Sequence, residues 1–134
     1  MKCPYCGADA IWRDSSIIYG QDYGKVWICS NYPTCDAYVG CHGGTKTSLG
    51  RMANAELRAW KKKAHTVFDP LWKYGAMSRT EAYKWLAAEL TLTAPECHIG
   101  MFDVEMCERV IWAMIGRIGH ERVRRILGIE PVPK

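Results

Sequence analysis

The sequence predicts an α+β fold: a small cysteine-rich β-sheet module in residues 1–44, then a bundle of three to four α-helices in residues 45–134. Cysteine, glycine and tyrosine are concentrated in the first region, where apolar residues form short runs typical of strands. From about residue 51, apolar residues recur at steps of three and four, the period of amphipathic helices. The length of 134 residues fits one domain, or one module joined to one modest core.

The first region contains three candidate antiparallel strands. Their sequences are AIWRDSSIIYG, KVWIC and AYVGC. Gly20 and Gly24 bracket a short polar segment, which predicts a hairpin between the first two runs. The stretch HGGTKTSLG is rich in Gly, Ser and Thr and predicts a connector to the helices.

The first helix is expected over residues 51–68. Its apolar stripe consists of Ala53, Leu57, Trp60, Ala64 and Val67. The opposite face, at about 100° per residue, carries Arg51, Arg58, Lys61, Lys62 and His65. Asp69 ends the helix because a residue that precedes proline is disfavoured in the α conformation.

The later helices have clear start and stop signals. Ser78 and Glu81 form a capping-box pattern that begins the second helix. Asp103 is the expected N-cap of the third. Gly119 predicts a break before a last helix, which Gly128 would terminate.

Two closely spaced cysteine pairs, Cys3-x2-Cys6 and Cys29-x5-Cys35, stand in the first region. A segment of about forty residues cannot bury a sufficient core, so it needs a metal or disulfides to fold. Disulfides rarely persist in a reducing compartment, which favours metal ligands. Four thiolates from two turns suit one tetrahedral zinc ion with Zn–S distances of ~2.3 Å. They leave no open position for a substrate, so the predicted zinc is structural.

The segments CPYCG and KVWICSNYPTC resemble the four-cysteine zinc ribbons in the C-terminal part of bacterial type I DNA topoisomerases. The resemblance covers residues 3 to about 38 and implies that Cys3, Cys6, Cys29 and Cys35 bind zinc. It also implies single-stranded DNA as a partner. The hairpin between the knuckles is longer here, with 22 residues from Gly7 to Ile28. The topoisomerase catalytic body is absent from these 134 residues, so DNA cleavage is not expected.

The chain as a whole resembles a family of bacterial and phage proteins described as zinc-finger-containing. The matching stretches are YVGCHGGTK, LGRMANAELR, AHTVFDPLW, SRTEAYKWLA and CHIGMFD. This resemblance supports the architecture and not an activity.

The remaining cysteines leave the question of a second metal site open. Cys41 and His42 follow the ribbon and could complete or replace a ligand, but four cysteines already fill a tetrahedron. Cys97, His98 and Cys107 form another group. Cys107 belongs to an apolar helical stripe, where a free thiol behaves as a small hydrophobe. Packing is the preferred interpretation of both groups.

The positive charge is concentrated in one segment. The chain has a net charge of +4, and residues 45–68 hold six Lys or Arg against one Glu. The cysteine-rich region is close to neutral. We therefore expect Tyr5 and Tyr32 to stack on bases, while Arg58, Lys61 and Lys62 contact phosphates. The predicted function is non-enzymatic binding of nucleic acid, with single-stranded DNA favoured.

A protein-binding adaptor, for example a phage accessory factor acting on a host complex, is the alternative. Six tryptophans support it, because Trp is a common interface anchor. Catalysis is not expected: paired carboxylates, Ser/His/Asp and open-zinc patterns are missing, and ECHIGMFDVE is explained as a helix entrance capped by Asp103. No small-molecule substrate is expected.

Membrane and export signals are also missing from the sequence pattern. No apolar run approaches the ~20 residues needed to cross a bilayer. The first residues, MKCPYCGADAIWRD, lack the apolar core of a secretory signal. A cytoplasmic location and no membrane partner are therefore predicted.

Overall fold

A computed structural model, which describes residues 1–128, confirms the α+β class. One antiparallel sheet has the strand order β1-β2-β3. The strands are β1 (Ala10–Asp14), β2 (Lys25–Cys29) and β3 (Tyr38–Gly40). The helices are α1 (Ser16–Tyr19), α2 (Ala55–Phe68), α3 (Pro70–Lys73), α4 (Arg79–Leu90), α5 (Val104–Ile118) and α6 (His120–Leu127).

The chain forms two compact units, which we call the ribbon unit (Met1–Arg58) and the helical unit (from Ala59 onward). The structure thus places residues 45–58, which the sequence assigns to the helical region, in the ribbon unit. Residues 129–134 of the predicted region 45–134 lie outside the described residues.

The segment predicted to be a connector folds back on the ribbon instead. The backbone N–H of Leu49 donates to the carbonyl of Gly40 at 2.9 Å. The N–H of His42 donates to the carbonyl of Thr47, also at 2.9 Å. The segment rich in glycine and threonine forms a tight loop, because its backbone groups make hydrogen bonds within the loop and with β3.

The first predicted strand is wrong in its second half, because the chain leaves the sheet after Asp14 and forms α1. The Oδ1 of Asp14 accepts a hydrogen bond from the N–H of Ser16 at 3.2 Å. Ser15 is buried, and its hydroxyl accepts from the N–H of Tyr23 at 2.7 Å. Short polar side chains compete with strand pairing in this way, and they turn the backbone despite the apolar residues that follow.

The start of α2 also differs from the prediction, which was residue 51. Ala53 pairs with Tyr38, with backbone N–H to carbonyl distances of 3.0 and 3.1 Å. The side-chain oxygen of Asn54 accepts from the N–H of Leu57 at 3.0 Å, so the helix begins at Ala55. The predicted end before Asp69 is confirmed.

The register of the sheet determines which side chains share a face. Trp12 lies opposite Trp27, and Ala10 lies opposite Cys29. Opposed residues in an antiparallel pair point to the same side, so Cys29 and both indoles lie on one face. The buried cluster on the ribbon unit consists of Cys3, Ala10, Cys29, Ala37 and Met52.

The helical unit confirms the predicted caps. The hydroxyl of Ser78 accepts from the N–H of Glu81 at 3.1 Å, and Asp103 Oδ1 accepts from the N–H of Met106 at 2.8 Å. Its core includes the buried side chains Phe68, Leu86, Ile99, Val110 and Met114. Within residues 1–128, no helix is long and apolar enough to cross a membrane.

Candidate metal centre and nucleic-acid surface

The four predicted zinc ligands come together at one end of the sheet. The sulfur of Cys3 lies 3.6 Å from that of Cys35, and the sulfur of Cys6 lies 3.4 Å from that of Cys29. All four sulfurs lie within 4.8 Å of one another. A tetrahedron with Zn–S distances of ~2.3 Å requires S–S separations of ~3.8 Å. The observed spacing therefore fits one zinc ion.

The first cysteine turn is closed by its own backbone. The N–H of Gly7 donates to the carbonyl of Cys3 at 3.0 Å, and the N–H of Cys3 donates to the carbonyl of Ala8 at 2.8 Å. Gly7 has a φ of 77°, which glycine adopts without a steric penalty. This turn brings the Cys3 and Cys6 thiols to the same side of the chain.

Asn31 connects the second cysteine turn to the first. Its backbone N–H donates to the sulfur of Cys29 at 3.4 Å, and its side-chain amide donates to the sulfur of Cys6 at 3.6 Å. Its carbonyl accepts from the N–H of Cys35 at 3.1 Å. N–H donors directed at sulfur stabilise the thiolate form, which is the form that binds a metal.

The thiols of the cluster differ in acidity. A hydrogen bond from the backbone of Ala8 lowers the pKa of the Cys6 thiol to about 6. Burial raises the pKa of the Cys29 thiol to about 12. Cys6 therefore offers a thiolate near neutral pH, whereas Cys29 must lose its proton when a cation arrives, so metal binding releases protons.

One structural zinc ion is the assignment that this arrangement supports. Cys3 and Cys29 are buried beside Ala37 and Met52, so the ion would lie at the edge of the ribbon core. Four sulfur ligands fill the tetrahedral shell, and a closed shell is typical of structural sites.

The other three cysteines do not form a second cluster. Within residues 1–128, the only group of three or more metal-binding side chains within reach of one another is the set just described. Cys97 and Cys107 are buried in the helical unit, and Cys41 is half-buried. The packing interpretation of Cys107 agrees with its position inside α5.

The predicted base-stacking tyrosines lie on the two cysteine turns. Tyr5 is 41% exposed, and Tyr32 is half-buried. Neither is sequestered in the core, so both remain candidates for contact with a base.

Arg58, predicted to contact phosphate, is held within the ribbon unit. Its guanidinium donates to the carbonyls of Asp36 and Ala53 and forms an ion pair with the Asp36 carboxylate at 3.2 Å. It also lies 4.1 Å from the centre of the Tyr38 ring. These contacts fasten the start of α2 to β3.

The predicted lysines of α2 belong to the helical unit and differ in exposure. Lys61 is half-buried and its ammonium donates to the carbonyl of Gly100 at 2.6 Å. Lys62 is exposed on the surface of the helix.

A groove of about 560 Å³ on the ribbon unit was missed by sequence reasoning. Its lining includes Trp12, Tyr19, Tyr23 and Tyr38, together with Lys25 and the loop after β3. The Tyr19 ring meets the rings of Tyr23 and Tyr38 edge to face, at centroid distances of 5.8 and 6.4 Å. Tyr19 and Tyr23 are 54% and 70% exposed, so their rings are open to solvent.

Two lysines flank the indole of Trp12, and one of them, Lys25, also lines the groove. The ammonium groups of Lys25 and Lys46 lie 5.4 and 5.1 Å from the centre of its ring. The indole N–H of Trp27 donates to the carbonyl of Lys46 at 2.7 Å, which holds the loop that carries Lys46. Cation–π attraction keeps both charges beside Trp12.

The sequence contained one signal for this groove. Asp14, Ser15 and Ser16 form a run of helix-capping residues directly before the apolar stretch Ile17–Tyr19. That signal predicts the turn of α1, which folds Tyr19 back toward β3. If the same residues continued as an extended strand, Tyr19 and Tyr38 would lie far apart.

The model of a zinc-finger-containing domain family matches the chain over residues 1–117. Comparisons with curated proteins and with solved structures give no significant match. The resemblance of the cysteine turns to topoisomerase ribbons stays a prediction.

Proposed function

The chain belongs to the family of zinc-finger-containing domains, and from this premise we propose that it is a non-enzymatic zinc-ribbon protein that binds nucleic acid, with single-stranded DNA as the favoured ligand. The four-cysteine centre makes the ribbon rigid and leaves no coordination site for a substrate. The ribbon then acts as a binding platform.

The groove lined by exposed tyrosines and by Lys25 is the observation that supports this proposal. Tyr19 and Tyr23 are exposed, and stacking of an unpaired base on an exposed aromatic ring contributes ~1–3 kcal/mol. Lys25 also lines the groove, and Lys25 and Lys46 both lie over the ring of Trp12, where their charges attract the phosphates that connect stacked bases. Bases in a duplex are already stacked on each other, so the groove favours a single strand.

The structure changes which of the predicted residues enter the proposal. Tyr5 and Tyr32 stay as additional stacking positions, and the exposed Lys62 stays as a phosphate contact. Arg58 is assigned to stability, because its donors are bound to Asp36 and Ala53. Lys61 donates to the carbonyl of Gly100 and is therefore a weaker phosphate contact.

Fluorescence anisotropy with a labelled single strand of about 12 nucleotides tests the proposal. We expect micromolar or tighter binding that weakens with salt, and weaker binding to the matching duplex. Each phosphate contact on a single strand contributes ~0.7 to the slope of log K against log salt, so Lys25→Ala with Lys46→Ala should lower the slope by about 1.4.

A matched double variant controls for the loss of charge. The ammonium groups of Lys63 and Lys73 also lie over tryptophan rings, at 4.9 and 5.9 Å, but belong to the helical unit. Lys63→Ala with Lys73→Ala should leave the slope unchanged. Failure of the natural chain to bind at low salt, or an equal effect of both double variants, refutes the proposal.

Protein binding is the second candidate, and the exposure of Trp112 favours it. This indole on α5 is 57% exposed, and tryptophan is a frequent anchor of protein–protein interfaces. Under this alternative, a pull-down from bacterial cells yields one dominant partner. The Trp112→Ala chain loses it, and a Tyr74→Ala chain, altered at another exposed aromatic, retains it.

A further inference from the structure

The helical unit has a cavity of about 200 Å³ at the first turn of α4. Arg79, Thr80, Tyr83 and Lys84 line it from the helix, and Cys97 and His98 line it from the segment after α4. The function proposed for the ribbon uses none of these residues.

Two cationic side chains belong to the lining of this cavity. Arg79 and Lys84 carry positive charges, His98 supplies an imidazole, and no carboxylate is among the lining residues. In the described part of the chain, none of these three forms an ion pair with Asp or Glu. The acid nearest to His98 in sequence, Glu96, is occupied, because its Oε1 accepts from the backbone and hydroxyl of Thr93 at 3.0 and 2.7 Å.

The guanidinium of Arg79 is oriented by two aromatic rings. Its central carbon lies 4.9 Å from the centre of the Tyr83 ring and 5.7 Å from that of Trp72. Stacking of this kind holds the plane of the guanidinium and leaves its N–H groups available at the edge. Because the guanidinium is already held in place, the Arg79 side chain loses little conformational entropy when an anion binds to it.

The buried wall of the cavity adds no negative charge. Cys97 is 1% exposed, and burial raises the pKa of its thiol. The thiol therefore stays neutral beside the cationic residues of the lining.

We propose that this cavity binds a phosphate group, as inorganic phosphate or as the end group of a phosphomonoester. Its volume is below the ~300 Å³ typical of pockets for larger ligands, so it suits a small anion. The terminal oxygens of a phosphate can meet the Arg79 fork, the Lys84 ammonium and His98 together. The phosphate could come from a small molecule or from the 5′ end of a nucleic-acid strand.

Amide NMR shifts of the full-length chain, titrated with sodium phosphate against sodium chloride of equal ionic strength, test the proposal. We expect saturable shifts at Arg79, Thr80 and His98. Arg79→Gln and Lys84→Gln should each weaken binding about tenfold or more, the effect of losing one hydrogen bond to a charged group. Lys73→Gln removes the same charge outside the cavity and should leave affinity unchanged.

Oligonucleotides with a 5′-phosphate or a 5′-hydroxyl distinguish the two sources. A preference for the phosphorylated strand that Arg79→Gln removes supports the proposal with a strand end as the source. Binding of inorganic phosphate without such a preference supports it with a small-molecule source. Absence of saturable shifts with phosphate and with the phosphorylated strand, or equal weakening by Lys73→Gln, overturns it. If the ribbon fails to bind DNA, the titration with sodium phosphate still tests the cavity.

Discussion

The side-chain amide of Asn31 tests whether hydrogen bonds to sulfur contribute to zinc affinity. This amide donates to the sulfur of Cys6 at 3.6 Å, while the backbone N–H of the same residue donates to Cys29 at 3.4 Å. Asn31→Ala removes the first bond and keeps the second, because the second comes from the main chain.

The expected magnitude follows from the charge on the acceptor. A hydrogen bond to a charged group contributes ~1.5–3 kcal/mol, and the long distance to sulfur places this one at the low end. About 1.4 kcal/mol corresponds to a tenfold change in affinity. That value lies within the ~10–100-fold range typical of partners that orient metal ligands. Asn31→Asp should cost more, since it also places a carboxylate beside the Cys6 thiolate.

Competition with a chromophoric chelator at fixed pH measures the zinc affinity of each variant. Fixed pH matters because binding releases thiol protons. Ser30→Ala is the control, since Ser30 is the exposed neighbour of Asn31. Equal zinc affinities of the natural chain and Asn31→Asp would show that this contact is irrelevant to metal binding.

Three further predictions concern stability. Removal of zinc by a chelator should abolish the near-UV circular dichroism of the ribbon tryptophans Trp12 and Trp27 while most of the far-UV helical signal remains; an unchanged near-UV spectrum would contradict a structural role for the metal. Burial raises the pKa of Cys107 from 9.0 to about 11, so the folded state holds this proton more tightly than the unfolded state. The contribution of protonated Cys107 to the free energy of unfolding is fully present below pH 9. It is lost as the pH rises toward 11, by up to about 2 kcal/mol. Urea unfolding of Cys107→Ala should therefore show a smaller loss of stability over that pH window. Asp103→Ala removes the acceptor of the Met106 N–H and should lower the unfolding free energy by ~1 kcal/mol, whereas Glu108→Ala on the same helix should change it little.

Short-range features of this protein were predictable because their causes lie within a few residues. The spacing of Cys3 and Cys6, and of Cys29 and Cys35, predicted two turns that converge on one ion, and the sulfurs lie close enough to do so. The caps at Ser78 and Asp103 were predictable for the same reason, since each side chain bonds to a backbone N–H three residues later.

Boundaries were less predictable where a distant partner competes with local preference. Residues 51–54 have a helical pattern, yet Ala53 pairs with Tyr38 in the ribbon, and the helix starts after that pairing ends. The strand predicted through residue 20 fails at Asp14 because nearby serine and aspartate side chains bond to the turn.

By itself, the sequence determined the four clustered cysteines, the order of the three strands and the helix caps at Ser78 and Asp103, because spacing and local hydrogen bonding specify them. Only the tertiary structure decided that Arg58 binds Asp36, and that Tyr19, Tyr38 and Lys25 line one groove. Those partners are far apart along the chain, and strand register and packing, not local pattern, bring them together.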